Sequence, residues 1–123
     1  MKNKVLLVSS YLVLAEPIQA AVGEEFQVVT LFGAKDVVAS ISKEPDNFAL
    51  VIIGGGVVSP IGGMPAMLLK IREIRKYYEA PMLFASGNPD NNEEMASAAG
   101  EKAYPLINPG DLLAMIRKIL EIK

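Results

Sequence analysis

Ala49-Leu50-Val51-Ile52-Ile53 is a continuous apolar run, and it breaks at once into Gly54-Gly55-Gly56. A strand that is apolar on both sides needs cover on both sides, which is how central strands of parallel sheets are built. Val5–Val8, ending in Ser9-Ser10, has the same character. Together the two segments restrict the chain to a layered α/β architecture with turns at the strand ends. In open sheets of this kind, ligands and chemistry sit at the C-terminal strand ends. Here those ends hold no carboxylate, cysteine, histidine or lysine.

Strand-like and helix-like segments alternate five times. Residues 11–23 read as a first helix, with Leu12, Leu14, Ile18, Ala21 and Val22 available for a buried face. Pro17 inside it predicts a kink or a late start, and Gly23 fits its C-cap. Phe26–Leu31 reads as a second strand. Residues 34–43 read as a short helix with Val37, Val38 and Ile41 inward, stopped by Pro45. After the Gly/Pro-rich loop 54–65, a helix is expected over 65–78, with Met67, Leu68, Ile71, Ile74 and Arg75 at helical spacing. Met82–Phe84 follows as a strand, 90–99 as a small polar helix capped by Gly100, and a fifth strand surrounds Tyr104. The last helix is expected from Pro109 to Ile122, with Leu112, Leu113, Ile116, Ile119 and Leu120 as its stripe. This order predicts one domain over 1–123: a flavodoxin-like doubly wound α/β fold, five parallel strands in the order 2-1-3-4-5, helices on both faces.

Composition removes whole classes of chemistry. With no cysteine, disulfides, thiol catalysis and Cys-ligated metals are excluded, and with no histidine the commonest general base and metal ligand is gone. The net charge of −2 and the absence of a long basic run give no case for nucleic acid. Val5–Val8 is too short for a signal segment and no apolar stretch approaches a membrane span, so a soluble cytoplasmic protein is expected.

Several stretches resemble the receiver domain of response regulators, the phosphoacceptor module of two-component signalling. Ala99-Gly100-Glu101-Lys102-Ala103-Tyr104 is similar to the run before the family's fifth strand. Asn108-Pro109 and the helix after it resemble the family's Lys-Pro turn and final helix. Pro60 with Leu68-Leu69-Lys70-Ile71-Arg72 resembles the segment after the phosphorylation site, and Pro81–Ser86 resembles the fourth strand and its hydroxyl turn. The resemblance implies an acidic pair, a phosphoaccepting Asp, a Thr or Ser, and a Lys. Those positions fall here on Ser9 and Ser10, Gly54, Ala85 (with Ser86 beside it) and Asn108. The four Asp residues, Asp36, Asp46, Asp90 and Asp111, all lie elsewhere. An acyl phosphate needs a carboxylate nucleophile and Mg²⁺ needs hard oxygen ligands, so a degenerate receiver is expected, with no catalytic residue, metal or cofactor.

Each local feature also has a plainer reading. Ser9 and Ser10 are read as a cap on the first helix, and Gly54–Gly56 as a tight loop. The alternative is a small-molecule crevice formed by Ser9, Ser10, Gly54, Gly55, Gly56 and Ser86. Ser86–Asp90 reads as a turn and helix cap. In Ser59–Pro65 and the residues before it, the apolar Val57, Val58, Ile61 and Met64 either tuck onto the core or mark a partner surface. Arg72, Arg75 and Lys76 read as a solvated face, and of Tyr77 and Tyr78 one is expected packed and the other exposed. The leading expectation is a non-enzymatic interaction module. Its protein partner or second copy would meet the fourth helix, fifth strand and last helix, through Glu93, Glu94, Ala98, Lys102, Tyr104 and Arg117.

Overall fold

The computed structural model describes residues 3–122. Five strands, β1 (Lys4–Val8), β2 (Gln27–Leu31), β3 (Phe48–Ile53), β4 (Met82–Phe84) and β5 (Ala103–Pro105), form one sheet in the order β2-β1-β3-β4-β5. Every pairing is parallel. The helices are α1 (Ala15–Val22), α2 (Val37–Lys43), α3 (Met64–Arg75), α4 (Pro89–Ala99) and α5 (Leu112–Ile119). The expected flavodoxin-like topology is the observed one.

Strand alternation sorts the core into two layers. Val5, Leu7, Leu50, Ile52 and Leu83 point toward α1 and α5, where Ile18, Val22 and Ile116 meet them. Leu6, Val8, Val51, Ile53, Met82 and Phe84 point the other way, onto α2, α3 and α4. The pairing of β1 with β3 shifts register between Lys4 and Val5, so Ala49 is skipped. The skip flips the parity of the strand. Phe48 therefore joins the layer of Val51 and Ile53, although Leu50 and Ile52 share its even spacing.

Element ends differ from expectation for local reasons. Leu12–Leu14 is a 3-10 turn, and α1 starts only at Ala15, which puts Pro17 at its third position. An N–H there has no partner inside the helix, so the proline costs it no bond. The side chain of Leu12 lies outside the described part of the structure. β2 begins at Gln27, one residue after Phe26. Residues 34–36 form a turn closed by Val37 N–H on the Ala34 carbonyl, and α2 follows it. α3 stops at Arg75 because the next N–H groups, from Lys76 and Tyr77, tighten onto carbonyls three residues back. Pro109–Asp111 is a 3-10 turn that precedes α5. At its far end, Ile122 N–H folds back to the Arg117 carbonyl.

The expected solvated face of Arg72, Arg75 and Lys76 is corrected at its middle residue. Arg75 is half-buried and gives its guanidinium donors to five backbone carbonyls: Ala99 (3.0 Å), Tyr78 (3.1 Å), Ala80 (2.7 Å), Glu101 (2.8 Å) and Lys102 (3.3 Å). Arg72 and Lys76 are exposed. Beside this hub Tyr78 is fully buried, its hydroxyl 3.2 Å from the carbonyls of Phe48 and Pro81, while Tyr77 is exposed. Burial pushes the Tyr78 phenol well above its ordinary pKa, and the positive charge of Arg75 pulls it part of the way back.

Two stability predictions follow from this corner. Lysine offers a single ammonium in place of the planar fork, so Arg75→Lys should cost about 2 kcal/mol or more in urea unfolding. For Tyr78, the folded state keeps its proton where the unfolded chain ionises, so the unfolded state binds fewer protons at high pH. That contribution to stability is complete below about pH 10, the unfolded value, and declines as the pH rises further. Tyr78→Phe should remove this part of the alkaline decline, at a cost near neutrality of about 1–2 kcal/mol for the lost bonds. Urea titrations across the alkaline range measure both effects.

Candidate functional site

The parallel ladder between β1 and β3 continues past the end of both strands. Gly54 N–H donates to the Val8 carbonyl at 2.7 Å, and Ser10 N–H donates to the Gly55 carbonyl at 3.0 Å. On the other side of β1, Ser9 N–H donates to the Leu31 carbonyl at 3.0 Å. The loop after β1 is thus held against the loops after both neighbouring strands.

The two serine hydroxyls tighten the same contact. The Ser10 hydroxyl donates to the Gly56 carbonyl at 2.8 Å. The Ser9 hydroxyl lies 3.4 Å from the Gly55 carbonyl and accepts the Tyr11 N–H at 3.0 Å. The expected cap on the first helix is therefore corrected: the residue before α1 is Leu14, and no side chain caps it. The serines instead hold the glycine loop, whose carbonyls need donors and whose short residues allow the approach.

A side chain at any of the three glycines would crowd this approach, most severely at Gly56. A Cβ on Gly54 would stand 3.0 Å from both Cβ and Oγ of Ser9. On Gly55 it would stand 2.9 Å from the Tyr11 ring, and on Gly56 2.7 Å from the Ser10 Cβ. Gly56 also has φ +76°, which glycine adopts without strain. Ser9 and Gly54 are buried, Ser10 and Gly55 half-buried, and Gly56 exposed. Among the described residues, no group of three or more Asp or Glu stands where it could hold a metal ion.

The remaining sequence-predicted positions are tied locally. Ala85 N–H donates to the Ile53 carbonyl at 2.8 Å, which sets Ala85 beside the end of β3. Ser86 does not turn to the glycine loop. Its hydroxyl donates to Asn92 Oδ1 at 2.6 Å, and its N–H donates to the same oxygen at 2.9 Å. Asn92, fully buried, donates in turn to the carbonyls of Ser86 (3.0 Å) and Leu106 (2.8 Å). Asn88 caps α4 by accepting from Asp90 and Asn91 N–H, as the turn-and-cap reading expects. Asn108 accepts from Gly110 N–H and so serves its own turn. Sequence reasoning missed Asn92. The signal was its spacing: it lies on the same helical stripe as the buried Met95, Ala96 and Ala99.

The apolar residues of the loop after β3 face inward. Val57 is buried, and Val58, Ile61 and Met64 pack against the α2–α3–α4 layer. Of the expected partner face, Glu93 and Glu94 are exposed on α4, Ala98 packs against the core, and Lys102 is exposed with φ +57°. Tyr104 shares a groove of about 300 Å³ with Met115, Lys118, Ile119 and Glu121. Arg117 is placed elsewhere: it donates to the Ala21 carbonyl at 2.9 Å and ties α5 to α1.

The glycine contacts predict an asymmetric response to alanine. Gly56→Ala should destabilise by about 2 kcal/mol or more, since it adds both a clash and an unfavourable φ. Gly33, with open space at its Cβ position and no positive φ, should tolerate alanine with a change below about 1 kcal/mol. Adding Ser10→Gly should recover the steric part of the Gly56→Ala loss, which thermal unfolding of the double variant would read out.

No protein-family model and no curated protein matches the chain. Solved structures do. A signal receiver domain of a two-component signal-transduction histidine kinase from Clostridium thermocellum aligns over 99% of this chain and 100% of its own, at TM-score 0.67 and 19% identity. A CheY-like response regulator receiver domain protein from Methanospirillum hungatei aligns over 98% of this chain and 95% of its own, at TM-score 0.62 and 21% identity. A response regulator protein from Thermotoga maritima, solved in complex with Mg²⁺-BeF, aligns over 95% of this chain and 98% of its own, at TM-score 0.63 and 18% identity. The chain has the fold of CheY-like receiver domains.

Proposed function

We infer that this chain is a receiver-type signalling module that acts by protein contact and is not phosphorylated at the end of β3. The observation that carries the reading is the approach of Ser9 to Gly54. At that strand end a phosphoacceptor would need a carboxylate side chain, and here even a Cβ would stand 3.0 Å from Ser9. The acidic pair that would hold Mg²⁺ is replaced by two serines whose hydroxyls are engaged with the glycine loop. Asn108 stands in place of the lysine that would pair with an acyl phosphate. A serine pair supplies no charge to draw Mg²⁺ out of its hydration shell.

On this reading the chain is a non-enzymatic protein of the cytoplasm. No helix among the described residues is long and apolar enough to cross a membrane. Its working surface is the side formed by α4, β5 and α5, with Glu93, Glu94, Lys102 and Tyr104 at the contact. Ala98 and Arg117 are left out of that set, the first because it packs against the core and the second because of its bond to α1. The small-molecule alternative is disfavoured by the burial of Ser9 and Gly54, which would have to form its floor.

The test is direct. Incubation with acetyl phosphate and Mg²⁺ should leave the intact mass unchanged. Titration with beryllofluoride and Mg²⁺ should leave the amide spectrum in place. A Mg²⁺-dependent gain of one phosphoryl group, or saturable shifts around Gly54, would overturn the reading.

A further inference from the structure

Edge strands leave a sheet open to another chain, and this sheet has two: β2 and β5 each pair on one side only. The backbone of β2 alternates in direction. Gln27 N–H donates to the Asn3 carbonyl, and the Leu31 carbonyl accepts from Ser9 N–H, so residues 27, 29 and 31 turn toward β1. The N–H and C=O groups of the residues between them turn outward.

One side chain already occupies part of that outer edge. Gln19, half-buried on α1, accepts the Val28 N–H on Oε1 at 2.9 Å and donates from Nε2 to the Phe26 carbonyl at 2.8 Å. An N–H only donates and a carbonyl only accepts, so Val28 and Phe26 together fix which way the amide faces. In a parallel ladder, one residue gives its N–H to a carbonyl of its neighbour and takes the N–H two residues further along. The Gln19 amide makes the same two bonds. Nε2 also donates to the Gly23 carbonyl at 3.0 Å, which anchors the amide to the end of its own helix.

The opposite edge is blunted by other means. The Lys102 carbonyl and Leu106 N–H bond to Met82 and Phe84 of β4, so the even residues there face inward and residue 105 faces out. Residue 105 is proline, which has no N–H to offer. At both margins of the sheet an outward donor is thus withheld. Of the two, β2 is the edge that would pair if its guard were lost. It has five residues against three, and Gln27–Leu31 carries no charge to set against its own copy in an antiparallel two-fold pairing.

We propose that the Gln19 carboxamide is an edge guard: it holds the place of a sixth strand's backbone and keeps β2 from pairing with β2 of a second copy. This role is independent of the α4–β5–α5 side, which lies at the other margin of the sheet.

Sedimentation velocity from about 5 to about 500 µM, comparing the natural chain with Gln19→Met, tests the proposal. Methionine keeps the length and helical fit of glutamine without its amide. Self-association should strengthen by about tenfold or more in Gln19→Met. Thr30→Pro removes an outward N–H from the same edge at an exposed position, and in the double variant it should return association to the natural level. A merely structural role would lower stability in urea without either change. A Gln19→Met chain that associates no more than the natural one therefore overturns the proposal, as does an association that Thr30→Pro leaves intact. Amide exchange in the natural chain tests the guard without any variant. Val28 N–H should exchange at least about tenfold more slowly than Thr30 N–H, and equal rates would overturn the proposal.

Discussion

The pairing of β1 with β3 is the constraint on which the rest of the molecule depends. Both strands are buried on both sides, so two separate apolar layers fix their register at once. A slip by one residue would turn each layer inside out. The ladder then runs on beyond the strands, through Gly54 to Val8 and Ser10 to Gly55. The closure of the strand ends is therefore an extension of the core, made possible because residues 54–56 have no side chains to keep the loops apart.

Most of the fold was readable because it rests on periodicity. Continuous apolar runs gave central strands, helical stripes gave the covering layers, and alternation gave the sheet order. The parts that were not readable rest on contacts between distant segments. Arg75 looked like one more basic residue near Arg72 and Lys76, yet its partners at Ala99, Glu101 and Lys102 lie 24, 26 and 27 residues away. Nothing in its own neighbourhood announces those carbonyls. Ser9 and Ser10 looked like helix caps because serine at a strand–helix junction usually is one. The intervening 3-10 turn moved the helix start away from them and left their hydroxyls to the glycine loop. Arg117 was assigned to a face by family analogy, and a helix has more than one side: its head reaches α1.

The candidate site was legible as an absence. The missing carboxylates and the missing lysine can be read directly from residue types. The geometry adds what residue types cannot, which is that Ser9 and Ser10 are drawn against the glycine loop after β3. A side chain at position 54 would need Ser9 to give way by a few tenths of an ångström.

The two hydrogen-bond hubs stand at opposite ends of α4. Asn92 joins its first turn to the loops after β4 and β5, and Arg75 holds the carbonyl of its last residue together with those leading into β5. Releasing Asn92 would leave the buried Leu106 carbonyl unpaired, a cost of about 1–3 kcal/mol, and releasing Arg75 would give up five bonds at once. The helix is thus clamped like a beam on two supports. A protein that docks on it finds the shape already set and loses little conformational entropy in ordering it. On the proposed reading, the same clamping suits this surface to presenting one fixed shape.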